Sequence, residues 1–310
     1  MSLEYHIPVL LHTSIDALIT NANGIYVDVT FGGGGHTREL LKGLDAEGKL
    51  FCFDQDPDAE KNFINEFSAT KQITFIPQNF RYIQKFLRVQ GVTKVDGIIA
   101  DLGVSSHQFD EGSRGFSVRF DGPLDMRMDP SQQISAYEII NNYSEEQLKK
   151  IFSLYGEIRN SNQLAHIICN ARTKFKQGGG KGIQTTSDLK NIALTVLKGE
   201  RNPYLAQLFQ AIRIEVNDEM SALREMLENS IQLIKPGGRV VVISYHSLED
   251  RMVKNLFKTG NVYGDDESDI MGRRNVPFKT ITKKPITPEM EELKNNPRSR
   301  SAKMRVGERQ

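Results

Sequence analysis

The sequence predicts an α/β protein: a parallel sheet with helices on both faces, interrupted by a helical insertion. Three observations predict it. The first hundred residues alternate short β-rich apolar runs with segments of helical spacing. Residues 136–196 carry helical signals only. Arg239-Val240-Val241-Val242-Ile243-Ser244 then restores the pattern with a strand of buried-sheet character. The expected organisation is a discontinuous α/β domain, residues 1–104 and 214–310, holding an insertion at 105–213 that serves substrate recognition.

The elements follow in order. Leu11, Ile15, Leu18 and Ile19 share one helical face within 9–20. Ile25-Tyr26-Val27-Asp28-Val29 is the first strand, closed by Gly32 to Gly35, and a helix starts near His36. Leu50-Phe51-Cys52-Phe53 is the second strand, stopped by Asp54-Gln55-Asp56-Pro57, and 57–67 is helical. A third strand covers 73–76, a helix 82–89 and a fourth strand 95–102. Residues 103–132 show no period and are rich in Gly, Ser, Asp and Arg, a composition of functional loops. Within the insertion, 145–154 and 162–175 are helices, and Gln177 to Gly182 is a solvated linker. A helix at 218–234 ends at Lys235-Pro236-Gly237-Gly238, a helix covers 248–257, and 278–283 and 302–306 are terminal strands.

Composition narrows the function. The chain has 310 residues, 38% hydrophobic and 25% charged, as in an ordinary globular protein. No apolar run approaches the roughly 20 residues that span a bilayer, and Met1 to His6 lacks a signal-peptide profile. Cys52 and Cys169 stand far apart in apolar segments and read as reduced, buried thiols of a cytoplasmic protein, without metal-ligand spacing. A formal net charge of +1 is too small for broad phosphate neutralisation, so nucleic-acid binding requires local patches. Arg298, Arg300, Lys303, Arg305 and Arg309 form one candidate patch.

The glycine run bares the backbone and frees the amides of the next helix for a ligand. Asp28 lies inside the first strand, just before the turn, and Asp54 ends the second, where a carboxylate can accept both hydroxyls of a ribose. NAD and S-adenosylmethionine both suit this geometry. The dinucleotide fingerprint needs a third small residue, yet Thr37 or Arg38 stands there. A carboxylate at Asp28 disfavours a pyrophosphate and suits a cationic, amino-bearing ligand, so the methyl donor is favoured. A side chain at Gly34 is expected to block that ligand while sparing the fold. Asp101 ends the fourth strand, beside the ligand crevice of an open α/β sheet. Tyr245-His246-Ser247-Leu248-Glu249-Asp250-Arg251 follows the late strand. His246 there is an acid, a base, an RNA contact or a loop-orienting group, and Ser247 a plausible helix N-cap. No catalytic triad order or His/Cys cluster supports hydrolysis or zinc chemistry.

These residues resemble the bacterial small-subunit ribosomal RNA methyltransferase H family, which methylates cytosine N4. The resemblance runs through His6 to Leu11, Asp28 to His36, Asp54 to Pro57, Asn79-Phe80, Asp101 to Ser106, Arg114 to Asp129, Phe209 to Asn217, Ile243 to Arg251 and Asn296 to Lys303. It implies a class I, Rossmann-like S-adenosylmethionine-dependent methyltransferase fold with an inserted helical subdomain. It implies cofactor contacts from Gly34, Gly35, His36, Asp54, Phe80, Asp101 and Gln108. The implied substrate is the cytidine at position 1402 of 16S rRNA, in the decoding region of the small ribosomal subunit. The family pattern has Pro at His107, Glu at Thr13, Phe at Tyr245 and often Arg at Gln207, so charges are lost at Thr13 and Gln207.

Cytosine N4 is a poor nucleophile, because its lone pair is delocalised into the ring. The chemistry needs alignment and a hydrogen-bond acceptor for the amine. Asp101 is the candidate catalytic acceptor, with the carbonyls of Leu102 to Val104 as the alternative. No metal is needed. The base must be unpaired or flipped, with Phe109, Phe116 and Tyr245 as stacking candidates. Rival readings are an amino-methyltransferase on another nucleic acid or a small molecule, a cofactor-binding ribosome assembly factor without turnover, and an NAD oxidoreductase.

Overall fold

A computed structural model describes residues 8–265 and 276–310. The chain divides into two units, Met1–Gly103 with Met220–Gln310, and Val104–Glu219. Unit 1 is built on a seven-stranded sheet in the order β3-β2-β1-β4-β5-β7-β6. The strands are β1 (Ile25–Asp28), β2 (Lys49–Phe53), β3 (Ile73–Ile76), β4 (Val95–Asp101), β5 (Ile234–Ser244), β6 (Phe278–Thr280) and β7 (Lys303–Arg309). The first five are parallel, and β7 runs antiparallel between β5 and β6. This is the doubly wound architecture that the resemblance implies.

The helices are α1 (Leu11–Leu18), α2 (Gly35–Lys42), α3 (Pro57–Phe67), α4 (Ile83–Val89), α5 (Ser106–Asp110), α6 (Ala136–Asn142), α7 (Glu145–Leu154), α8 (Ser161–Gln177), α9 (Thr186–Leu194), α10 (Arg201–Val216), α11 (Glu219–Leu233), α12 (Ser247–Thr259) and α13 (Met290–Asn295). Alternation along the strands splits the core of unit 1 into two layers. Val27, Ile98, Ala100, Val240 and Val242 meet α4, α11 and α12 on one face. Tyr26, Ile99, Val241 and Ile243 meet α1, α2 and α3 on the other. Local chemistry starts the helices where the sequence signals them. Asp56 caps α3 by accepting the Asp58 amide at 3.0 Å, with Pro57 in the first turn.

Three details differ from the sequence reading. Lys235-Pro236-Gly237-Gly238 lies inside β5 as a bulge, not ahead of it. Pairing steps from Val95↔Ile234 to Gly97↔Arg239, so β5 carries the extra residues. Gly237 holds φ 78°, which a bulge of this kind needs. Cys169 is only partly buried, unlike Cys52. The expected strand at 278–283 is shorter, Phe278–Thr280, although the Ile281 amide still donates to the Val306 carbonyl at 3.0 Å in the same register.

Unit 2 is helical, α5 to α10, around Ile139, Leu148, Phe152, Leu164, Ile168, Leu189, Leu208 and Ile212. Its second boundary falls at 219/220 rather than 213/214, because α10 continues through Val216 and packs Ile212 and Val216 into this core. The expected loop at 103–132 contributes to that core as well, through Phe116, Leu124 and Met126. Capping boxes at Ser105, Ser135, Ser144 and Thr185 start α5, α6, α7 and α9. Among the described residues, no helix is long and apolar enough to cross a membrane.

Candidate functional site

The parallel strands of unit 1 end along one edge, and the residues singled out in its sequence gather there. Asp28 ends β1, Asp54 follows β2, Phe80 follows β3 in a short 3-10 turn, Asp101 ends β4 and Tyr245 follows β5. Between β1 and α2 the chain turns through Gly32 at φ 52° and Gly34 at φ 73°, left-handed conformations that favour glycine. Gly34 is the N-cap of α2, and Gly35 opens it. The glycines are also demanded from inside. A Cβ on Gly34 would stand 2.7 Å from Phe67 Cε2, and one on Gly35 2.2 Å from Pro8 Cγ. The expectation that a side chain at Gly34 spares the fold is therefore corrected: it collides with the Phe31 and Phe67 rings.

Asp28 is buried, and both of its oxygens serve the turn. Oδ1 accepts the Thr30 amide at 3.1 Å, and Oδ2 accepts the Thr37 hydroxyl at 2.8 Å. Thr37, which breaks the dinucleotide fingerprint, thus belongs to the support of the glycine turn. Asp54 Oδ2 accepts the Gly32 amide at 2.8 Å and Oδ1 the Asp56 amide at 2.9 Å. Each oxygen keeps a further lone pair for a ligand hydroxyl. Burial lifts the Asp54 carboxyl to about 6, with the two amides opposing and Asp56 and Asp28 adding to the rise.

Asp101 receives the Tyr245 hydroxyl on Oδ1 at 2.7 Å, while its amide donates to Thr30 Oγ1 at 2.7 Å. His36 Nδ1 stands 3.8 Å from Oδ2, and its Nε2 bonds the Val9 carbonyl at 3.1 Å. A carbonyl only accepts, so Nε2 carries the proton. Burial raises the Asp101 carboxyl to about 6. His36 and the Tyr245 hydroxyl restrain the rise, and Asp28 and Glu249 add to it. A carboxyl at that level is ionised at neutral pH yet basic enough to take a strong hydrogen bond. Its side chain remains 21% exposed.

His246 proves to be the N-cap of α12, in place of Ser247. Its Nδ1 accepts the Glu249 amide at 3.4 Å, and Glu249 Oε2 accepts the amides of Tyr245 and His246. This box fixes the backbone that aims Tyr245. The Tyr245–Asp101 bond itself was missed, because a contact spanning 144 positions leaves no local signal; the only hint was Tyr where the family pattern has Phe.

Gln108 belongs to unit 2. It is buried as the third residue of α5, where its Oε1 accepts the Ser105 amide at 3.0 Å. Two stacking candidates change standing. Phe116 is a core residue of unit 2, and Phe109 lies under the Arg119 guanidinium, 5.8 Å from ring centre to Cζ. The C-terminal cation patch also shrinks. Arg305 forms a two-pronged pair with Asp250 at 2.6 and 3.1 Å, and Arg309 donates to the Ile231 and Pro277 carbonyls. Arg298 and Arg300 remain at the surface.

Comparisons with known proteins agree along the whole chain. The family model described as the MraW methylase family matches residues 4–310. The chain is 52% identical over 306 residues to a protein of Bacteroides fragilis named ribosomal RNA small subunit methyltransferase H, covering 98% of this chain and 97% of that one. It is 51% identical over 308 residues to the protein of that name from Bacteroides thetaiotaomicron, covering 99% and 98%. It is 51% identical over 309 residues to the one from Flavobacterium johnsoniae, covering 99% of each.

Proposed function

Because the chain belongs to the MraW methylase family, we propose that it methylates N4 of a cytidine in 16S ribosomal RNA, position 1402 of the decoding region, using S-adenosylmethionine. The observation that carries this reading is Asp101: an ionisable acceptor held at the end of β4 by Tyr245, beside a glycine turn and a second raised carboxyl at Asp54.

The residues fit the cofactor. Gly34 and Gly35 bare the backbone at the N-terminus of α2, Asp54 keeps lone pairs for ribose hydroxyls, and the carboxylates of Asp28, Asp54 and Asp101 favour a cation. The cofactor contacts proposed in unit 1 are Gly34, Gly35, His36, Asp54, Phe80 and Asp101. When bound, S-adenosylmethionine supplies an electrophilic methyl on a cationic sulfur. The protein aligns N4 and stabilises the charge that the amine gains. Asp101 accepts the N4–H bond in the transition state, drawing the proton toward its carboxylate. Tyr245 fixes the rotation of that carboxylate, and His36 places a polar ring nitrogen behind its second oxygen.

The RNA is recognised within the small subunit, in the cytoplasm. A net charge of +1 gives little general RNA affinity, so the shape of assembled RNA must contribute. Unmodified small subunits incubated with labelled cofactor should acquire N4-methylcytidine at position 1402, mapped by nuclease digestion and mass spectrometry. Short RNA oligomers should be poor substrates at the same salt. Label at another base contradicts the assignment, and cofactor binding without transfer favours an assembly factor.

A further inference from the structure

Unit 2 carries a cationic surface that its own fold does not use. Residues 158–187 contain Arg159, Arg172, Lys174, Lys176 and Lys181 and no carboxylate, in a chain whose formal net charge is +1. Helix α8 spans this stretch. Its first half buries Ser161, Leu164, Ala165 and Ile168 against the core of unit 2. Residues 173–177 are exposed on every side, so the last turn projects beyond that core. Arg172 is held by the Ile140 carbonyl at 2.8 Å. The ion pairs described in unit 2, Arg127–Asp125, Lys149–Glu146, His166–Glu145 and Arg213–Glu219, involve none of Lys174, Lys176 and Lys181.

Cations in a last helical turn offset the negative end of the helix dipole, which accounts for part of the charge at Lys174 and Lys176. It accounts neither for Phe175, left 41% exposed between them, nor for Lys181 beyond the helix. The following turn is folded rather than loose. The amides of Gly178, Gly179 and Gly180 donate to the carbonyls of Lys174, Lys176 and Phe175 at 3.0, 3.1 and 2.9 Å. The Tyr137 hydroxyl donates to the Lys181 carbonyl. A Cβ on Gly179 would meet nothing within 4 Å, so the outer side of this turn is open.

We propose that the end of α8 and the 178–181 turn form an RNA-docking surface, with Lys174, Lys176 and Lys181 on phosphates and Phe175 stacked on an unpaired base. An exposed ring set among cations suits single-stranded RNA, whose bases offer faces and whose backbone offers charge. An acidic protein would use the lysines and leave the ring without a partner. The proposal rests on the rRNA substrate assigned above.

The test uses the full chain, a Lys174→Gln/Lys176→Gln/Lys181→Gln variant and, separately, Phe175→Ala. All four side chains are exposed, so melting should match the wild type. Binding to a protein-free 16S rRNA transcript is measured across salt concentrations, and KM and kcat on unmodified small subunits. Losing three phosphate contacts should flatten the slope of log affinity against log salt by about 2, at ~0.7 per contact. KM should rise with kcat unchanged. Phe175→Ala should weaken binding about tenfold without altering the slope. An unchanged slope and affinity in the lysine variant overturns the proposal. Intact transcript binding with a raised KM on subunits also overturns it, assigning the surface to a ribosomal protein. The substrate assignment itself stands or falls on the wild-type product alone.

Discussion

The two units differ in what they bury. Unit 1 encloses ionisable groups: Asp28, His36, Asp56, Asp96, Glu249 and Arg305 are all buried. The buried polar residues described in unit 2 are Gln108, Ser117, Ser135, Asn141, Ser161, Thr186 and Asn217, amides and hydroxyls without charge. Buried amides and hydroxyls bond carbonyls and cap helices, which shapes a scaffold. Buried carboxylates change basicity, which chemistry requires. The difference suits unit 1 to proton-sensitive work and leaves Lys174, Lys176 and Lys181 of unit 2 on its surface.

The largest expected effects come from exchanging these interiors. Asn217 donates to the Met126 and Arg213 carbonyls at 2.8 and 2.9 Å and accepts the Met128 amide at 2.7 Å. Asn217→Asp sets a carboxylate against two carbonyls, and should cost about 3–5 kcal/mol at pH 8. The new carboxyl has a raised folded-state pKa, so the cost shrinks as pH falls and the group protonates. Urea unfolding at pH 5 and pH 8 measures this; equal losses would deny that unit 2 excludes charge.

Arg305→Ala strands Asp250 in unit 1 and should cost about 3–5 kcal/mol, partly recovered by adding Asp250→Ala. The salt dependence of RNA binding should stay as in the wild type. A reduced slope with unchanged stability would return Arg305 to the RNA surface.

Glycines sharpen the comparison at smaller magnitude. Gly34→Ala places a Cβ against Phe67 and Phe31 at positive φ, and should cost about 2–4 kcal/mol together with cofactor affinity. Gly179→Ala meets open space and should cost only about 1–2 kcal/mol of left-handed strain. Similar melting shifts in both would show that the glycine turn is less crowded than described.

Tyr245→Phe should have the smallest effect, confined to acid pH. With Asp101 as the proposed acceptor, the rate should fall as pH drops through about 6 and its carboxyl protonates. Loss of the hydroxyl removes a bond that favours the ionised form, moving this fall to higher pH by about one unit. Rates at pH 8 should barely change. An unmoved acid limb would reduce Tyr245 to packing.

Much of this was legible where chemistry is local. The strand–glycine–helix unit at 25–42, the cap at Asp56 and the position of Asp101 at a strand end follow from neighbouring residues. Arg305 was not separable from Arg298 or Arg300, because its partner Asp250 lies 55 positions away. The Pro236-Gly237-Gly238 bulge reads as a turn in sequence, since only pairing with β4 continues the strand through Ile234. Phe116 reads as a loop aromatic, since its burial depends on helices far along the chain.

The central claim is that Asp101 acts on the amine rather than merely holding the cofactor. Single-turnover methylation of small subunits by Asp101→Ala, at saturating S-adenosylmethionine, separates the two. The fold should survive. Burial raises this carboxyl above its unfolded value, so the ionised group opposes folding above pH 6, and its removal should not lower the melting temperature at pH 8. The account predicts a chemical step slowed by about 10² to 10³ that further cofactor does not restore. Full recovery of the rate at saturating cofactor would contradict it and move the acceptor to a backbone carbonyl of 102–104.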